Sequence, residues 1–430
     1  MTTPQIPADP VPPLPADTAD RSLESGGSSL RPFGRARPVS PFTLGTMRAL
    51  DSPTQMETVL LAAVAAGINH IETAPAYGPA ETFLGQALAA LERRDRQARA
   101  HLVLTSKLLP GPDLSTAQAQ LRACLKRLGV ARLDNLAVHG LNTADHLAWA
   151  LNGPGAELLA WAEGEGLAVQ VGFSSHGSND LIAAALESGR FGFCCLHLHL
   201  FDPQRLPLAR AALEAGLGVL AISPADKGGR LYDPPPELLA DCAPFQPLEL
   251  AYRVLLEQGI STLSLGASQP GDLVWARRLT AAAGPRGQLS PDEAEPGPEP
   301  APDPGPGSGS VSGPTPVDLA VERLRASAAQ RLGEERCGQC RACLPCPSAV
   351  PIPELLRLRN LAVGHGMVAH ASERYNLIGR AGHWWETLNA EACRQCGACL
   401  PRCPHGLPIP DLLADTHRRL AAAPRRRLWG

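Results

Sequence analysis

The 430-residue chain has almost no net charge: 39 Lys and Arg stand against 42 Asp and Glu, a formal −3. No global field then favours nucleic acid or a membrane surface as a partner. The longest apolar run, Val59 to Ile68, falls far short of the ~20 residues a spanning helix needs. The first residues, Met1 to Asp20, are polar, Pro-rich and carry acids, unlike a secretory or transit peptide, so a cytoplasmic protein is expected. A spread, even cysteine framework is missing too. Of 12 Cys, only Cys124, Cys194, Cys195 and Cys242 lie outside two tight runs near the end. Disulfides are therefore not expected, and a reducing compartment fits.

What the chain does have is eight cysteines in those two runs. The first is Cys337-x2-Cys340-x2-Cys343-x2-Cys346-Pro347, the second Cys393-x2-Cys396-x2-Cys399-x3-Cys403-Pro404. The second has the spacing of the bacterial two-cluster ferredoxin signature, and the first is one residue short of it. Four thiolates so close, ended by Pro, suit a loop wrapped around an iron–sulfur cube. Two [4Fe–4S] clusters are expected; paired C-x2-C units holding zinc are the alternative. In two-cluster ferredoxins the fourth Cys of each run ligates the other cluster. On that pattern one cluster takes Cys337, Cys340, Cys343 and Cys403, and the other Cys393, Cys396, Cys399 and Cys346. The short first run leaves this crossing open.

Proline and glycine punctuate the rest. Residues 1–38 lack periodicity and read as a disordered arm. Residues 286–316, with "EPGPEPAPDPGPGSGS", read as a semi-stiff linker. They cut the chain into a body, 39–285, a cysteine module, 317–423, and a basic tail, 424–430. With such a linker between them, body and module are expected to fold separately. Short apolar runs recur at Phe42–Leu44, Ile68–Thr73, Leu102–Ser106, Leu133–Val138, Val169–Phe173, Phe191–Leu198, Val219–Ser223 and Thr262–Leu265. Ala/Leu-rich amphipathic stretches separate them. Eight strands alternating with helices over this length predict an α/β fold, a (β/α)8 TIM barrel, followed by a small, mainly helical ferredoxin-like domain. A doubly wound sheet is the alternative, weakened because no G-x-G-x-x-G turn follows an early strand.

Three polar residues fall just past consecutive strands: Tyr77, Lys107 and His139. Glu72 precedes Tyr77 on the same strand. Barrel enzymes place catalysis at these C-terminal strand ends. A Lys beside a Tyr favours the phenolate and lowers its pKa, so Tyr77 could protonate a carbonyl oxygen while hydride reaches the carbon. Glu72 would pair with Lys107, and His139 would orient the carbonyl.

The stretches "FTLGTM", "AAGINHIETAPAYGPAETFLGQAL", "VLTSK", "LAVHG" and "VGFSSH" resemble the aldo/keto reductase family over about residues 40–280. The cysteine module resembles that of a subgroup of these reductases with a C-terminal 4Fe-4S ferredoxin-type domain. The resemblance implies a barrel using NADP(H), with NAD(H) as the other option, and a tetrad of Tyr77, Lys107, His139 and Glu72. It implies cofactor contacts from Ser174 and Ser175, from Ser223, Lys227 and Gly228, and from Gly266, Ser268 and Asp272. The chain departs from the family where Glu72 replaces the usual Asp, Cys195 the usual Gln, and Ile222 an aromatic. The function implied is an NAD(P)H-dependent oxidoreductase acting on a small carbonyl or alcohol, with a redox protein as a further partner. The alternative is a catalytically weak barrel in an electron-transfer or redox-sensing protein. No flavin motif bridges the two-electron and one-electron chemistries.

Overall fold

In the computed structural model, residues 30–225, 229–282, 314–380 and 387–422 are described. Eight parallel strands close into a barrel. They are β3 (Phe42–Gly45), β4 (His70–Glu72), β5 (Val103–Leu108), β6 (Leu133–Val138), β7 (Ala168–Ser175), β8 (Phe193–His197), β9 (Gly218–Ile222) and β10 (Thr262–Gly266). All eight apolar runs are strands, with bounds shifted by a few residues. Amphipathic helices cover the outside, and local signals set their ends. Asp113 accepts from the Thr116 amide at 2.9 Å to start the helix Leu114–Leu128, and Gly129 ends it at φ 66°. No helix of the described residues is long and apolar enough to cross a membrane.

Residues that the sequence assigns to a disordered arm do more. Arg31–Phe33 and Ala36–Val39 form an antiparallel hairpin, β1 and β2. Its Phe33 is fully buried in the barrel, 5.2 Å from the His70 ring and 5.3 Å from Phe193. Above it runs a belt of buried hydrogen bonds across six adjacent strands. Thr43 Oγ1 lies 2.7 Å from both Thr262 Oγ1 and His70 Nδ1. His70 Nε2 lies 2.7 Å from Thr105 Oγ1, and Asn135 Nδ2 donates to that oxygen at 3.0 Å. Gln170 Nε2 donates to Asn135 Oδ1 at 2.8 Å and to the Phe33 carbonyl at 2.9 Å. Six polar side chains are thereby satisfied inside a core where an unpaired one would cost about 1–3 kcal/mol.

The cysteine module is helical: Pro316–Leu332, Ile352–His365, Val368–Leu377 and Ile409–Leu420. It does not hang free on a linker. One hydrophobic core joins Leu231, Leu238, Cys242, Leu250 and Ala251 of the body to Val317, Leu324, Leu355, Leu356 and Met367 of the module. Cys343 and Cys399 are buried in that same core. Arg331 grips Asp241 with two bonds, 2.5 and 3.1 Å, and the His365 ring stacks on Phe201 at 4.2 Å. Met367 packs directly on Gly229, after β9: a Cβ there would stand 2.9 Å from Met367 Sδ, so the thioether would have to move aside. Body and module therefore pack as one unit, because their apolar faces meet over an area that the linker's composition could not reveal.

Two measurements follow from this packing. Leu355→Ala should cost about 2–5 kcal/mol and leave a single melting transition, since the core it opens belongs to both parts. Burial pulls the His70 imidazole down to about 3, with Lys107 adding to the pull. The folded chain keeps His70 neutral where the unfolded chain protonates it, so stability falls as pH drops from about 6.5 towards 3, by about 1.4 kcal/mol per pH unit for this residue. Urea titrations of His70→Gln should show that slope reduced by one proton.

Candidate active site and cysteine centre

Glu72 ends β4, Lys107 lies in β5, and His139 follows β6 with its amide donating to the Leu108 carbonyl at 2.7 Å. Tyr77 stands in the turn before the helix Ala80–Arg94. The barrel brings the four together. Lys107 is 2% exposed and Glu72 4%, and they form a buried ion pair. Lys107 Nζ donates to the Tyr77 hydroxyl at 2.8 Å and to the Thr73 carbonyl at 3.4 Å. The Tyr77 hydroxyl in turn donates to Glu72 Oε1 at 3.2 Å. The His139 ring meets Tyr77 edge-on, 5.7 Å between centroids and 90° between planes.

Gly45 ends β3 beside this pair: a Cβ there would stand 3.1 Å from Ser264 Oγ, a tight approach, and 3.6 Å from Glu72 Oε2, an ordinary contact. The electrostatics differ from what Lys107 alone predicts. Burial pushes the Tyr77 hydroxyl above its usual range, and the Cys195 thiol adds to the push. Out of water the charged phenolate is the costly form, so the neutral phenol is favoured, and Glu72 accepts its hydrogen bond. Tyr77 therefore holds its proton at neutral pH. Cys195 is fully buried in the barrel, and burial pushes its thiol up to about 11 while Lys107 pulls it back. It acts as a small neutral floor.

Six of the eight expected cofactor residues are described, at or just past the C-terminal ends of barrel strands. Ser174 and Ser175 end β7, but their hydroxyls are engaged: Ser174 Oγ accepts from the Gly140 amide at 2.9 Å, and Ser175 Oγ donates to the Leu141 carbonyl at 2.6 Å. Ser223 follows β9 with φ 54°, an unusual conformation for serine. Gly266 ends β10. Asp272 accepts from the Ser268 amide at 2.8 Å and hydroxyl at 3.0 Å. Although burial opposes it, these donors hold the Asp272 carboxyl below its usual value. Lys227 and Gly228 lie outside the described residues.

The two cysteine loops repeat one another. Gln339 and Gln395 have φ 60° and 53°; Arg341 and Gly397 have φ 63° and 72°. Arg402 Nη1 donates to the Pro345 carbonyl at 2.8 Å and ties the loops together. Burial raises the Cys337 thiol, with Cys340 and Cys403 adding to it. Burial likewise raises Cys399, with Cys393, Cys346 and Cys396 adding to it. Cys403 thus lies near Cys337 and Cys346 near Cys399, while among the described residues no three of these side chains converge closely enough to form a metal-binding group.

The belt beneath the tetrad is the site feature that sequence reasoning missed. Its one signal is that Thr43, His70, Thr105, Asn135 and Gln170 occupy inward positions of consecutive strands. Lys107→Met should cost about 3–5 kcal/mol by leaving Glu72 charged and unpaired, and Lys107→Met with Glu72→Leu should recover most of it. Chemical unfolding of the three proteins measures both.

Residues 41–233 match the aldo/keto reductase family, and residues 336–407 match the 4Fe-4S dicluster domain. An aldo-keto reductase of Mycolicibacterium vanbaalenii is 27% identical over 226 residues, 50% of this chain and 75% of that protein. A solved aldo-keto reductase from Bacillus halodurans, in its holo form, is 20% identical; the match covers 59% of this chain and 90% of that one, with a TM-score of 0.49. Bombyx mori aldo-keto reductase in complex with NADP is 21% identical, covering 60% and 92%, with a TM-score of 0.48. The chain thus joins a closed parallel barrel, most of whose strands lie in the segment matching the aldo/keto reductase family model, to a C-terminal helical segment matching the 4Fe-4S dicluster domain model.

Proposed function

We propose that this chain is an NAD(P)H-dependent oxidoreductase that interconverts a small carbonyl and its alcohol, with Tyr77 as the acid and two [4Fe–4S] clusters in its module. The observation that carries this reading is the hydrogen-bonded unit of Lys107, Tyr77 and Glu72 at the barrel rim. When bound, the reduced nicotinamide supplies a hydride and the clusters supply single electrons. Tyr77 gives its proton to the carbonyl oxygen as charge builds there. Lys107, 2.8 Å away, stabilises the tyrosinate left behind, and Glu72 fixes Lys107. His139, beside Tyr77, orients the carbonyl. Ser174 and Ser175 would hold the nicotinamide end. Ser223, Lys227, Gly228, Gly266, Ser268 and Asp272 would hold the phosphates and adenosine.

In the module, Cys337, Cys340, Cys343 and Cys403 would hold one cluster, and Cys393, Cys396, Cys399 and Cys346 the other. Thiolate ligands of this kind fit a reducing, cytoplasmic setting. A second reading, a weakly catalytic barrel serving electron transfer or redox sensing, draws on Cys195 and Ile222 at positions where the family has an amide and an aromatic.

Turnover of NADPH with simple aldehydes separates the two. Tyr77→Phe should lower kcat by about 10²–10⁴-fold while leaving NADPH binding, read by fluorescence, nearly unchanged. Equal turnover in the variant would remove Tyr77 from its role, and absent NADPH binding in both proteins would favour the second reading.

A further inference from the structure

Three successive residues after β9 each meet the cysteine module. A Cβ on Gly229 would stand 2.9 Å from Met367 Sδ and 3.2 Å from Phe201 Cδ2, so this glycine is closed in on two sides. Arg230 forms an ion pair with Glu373. Leu231 is buried in the core that Met367, Leu355 and Leu356 share with the body. From the barrel side, His199 holds the same stretch. Its Nδ1 accepts from the Phe201 amide at 3.1 Å, which leaves the proton on Nε2, and Nε2 donates to the Gly229 carbonyl at 3.2 Å. Phe201 is itself stacked by His365 of the module.

This stretch is the return limb of a loop. The chain leaves β9 at Ser223, whose φ of 54° lies in the left-handed region. It comes back where the Leu231 amide donates to the Ala225 carbonyl at 3.0 Å. Lys227 and Gly228, expected at the phosphates, lie between these points in sequence. A hydroxyl, an ammonium and a glycine amide are a donor set that suits a diphosphate. A loop already held in its binding shape loses less conformational freedom when a ligand arrives, so affinity rises. The seam between body and module has other anchors away from this loop: Arg331 on Asp241, and helix Pro316–Leu332 on helix Pro236–Cys242.

We propose that Met367 and Glu373 are positioning residues for the nucleotide: the cysteine module holds residues 229–231 so that the loop from Ser223 is set for the phosphates of NAD(P)H before it binds. This rests on the nicotinamide reading above. The module then serves the barrel's chemistry in a way that needs no electron to pass between them.

The test uses the full-length protein, prepared anaerobically, and NADPH. Binding is read by nucleotide fluorescence, and loop order by hydrogen–deuterium exchange of peptides spanning 223–232 without nucleotide. Met367→Ala with Glu373→Ala should speed exchange there and raise the NADPH Kd about tenfold. Glu373→Lys, a surface charge reversal that spares the core, should raise it about threefold. Met367→Leu keeps the volume and should bind as the wild type does. Leu324→Ala opens the same shared core away from the loop; it should lower the melting temperature and leave the Kd unchanged. An unchanged Kd in the double variant, whatever its exchange, would overturn the proposal and leave the nicotinamide reading standing. So would a Kd raised as far by Leu324→Ala, since the effect would then be general loosening. No NADPH binding even by the wild type would overturn both.

Discussion

Lys107 and Glu72 carry opposite charges at the C-terminal ends of two barrel strands, almost wholly out of water. Taking two ions from water costs several kcal/mol each, and their attraction offsets this only when the remaining polar atoms find partners. Here the Tyr77 hydroxyl and the Thr73 carbonyl supply them. A belt of hydrogen-bonded Thr, His, Asn and Gln side chains stands beneath the pair. The same pair sets the chemistry. Glu72 accepts the Tyr77 hydrogen bond and Lys107 donates to the same hydroxyl; under the proposed function this would let Tyr77 pass a proton to a substrate while keeping it at neutral pH.

Much of this was legible in the sequence, for identifiable reasons. The eight strands show as short apolar runs because a parallel sheet is buried on both faces. Tyr77, Lys107 and His139 show because they follow successive strands at nearly equal separations. The hairpin at 31–39 does not show. "RPFGRARPV" is polar and broken by Gly and Pro, and Phe33 gains its role only once Gln170 bonds its carbonyl and the barrel closes over its ring. Module docking is hidden for a similar reason. Leu231, Leu238 and Leu250 read as ordinary helix or loop residues, and only their fit against Leu355 and Met367 makes a core. The direction of the Tyr77 shift was out of reach because it depends on burial, which spacing does not report.

That shared core changes how the two halves relate. A linker rich in Pro and Gly suggests a tethered electron carrier. The packing instead fixes the first cysteine loop near the rim. Burial lowers the Arg205 guanidinium, Asp202 opposes this, and Arg341 of the module adds to it across the junction. Cys343 and Cys399 share apolar neighbours with the body's helices Pro236–Cys242 and Pro247–Glu257.

The most direct measurement is a single turnover with NADPH carrying deuterium at C4 of the nicotinamide and a simple aldehyde as acceptor. The account requires the label on the carbinol carbon of the product, at a yield that collapses in Tyr77→Phe. Alcohol formed without the label, or no alcohol from protein that binds NADPH, would contradict it.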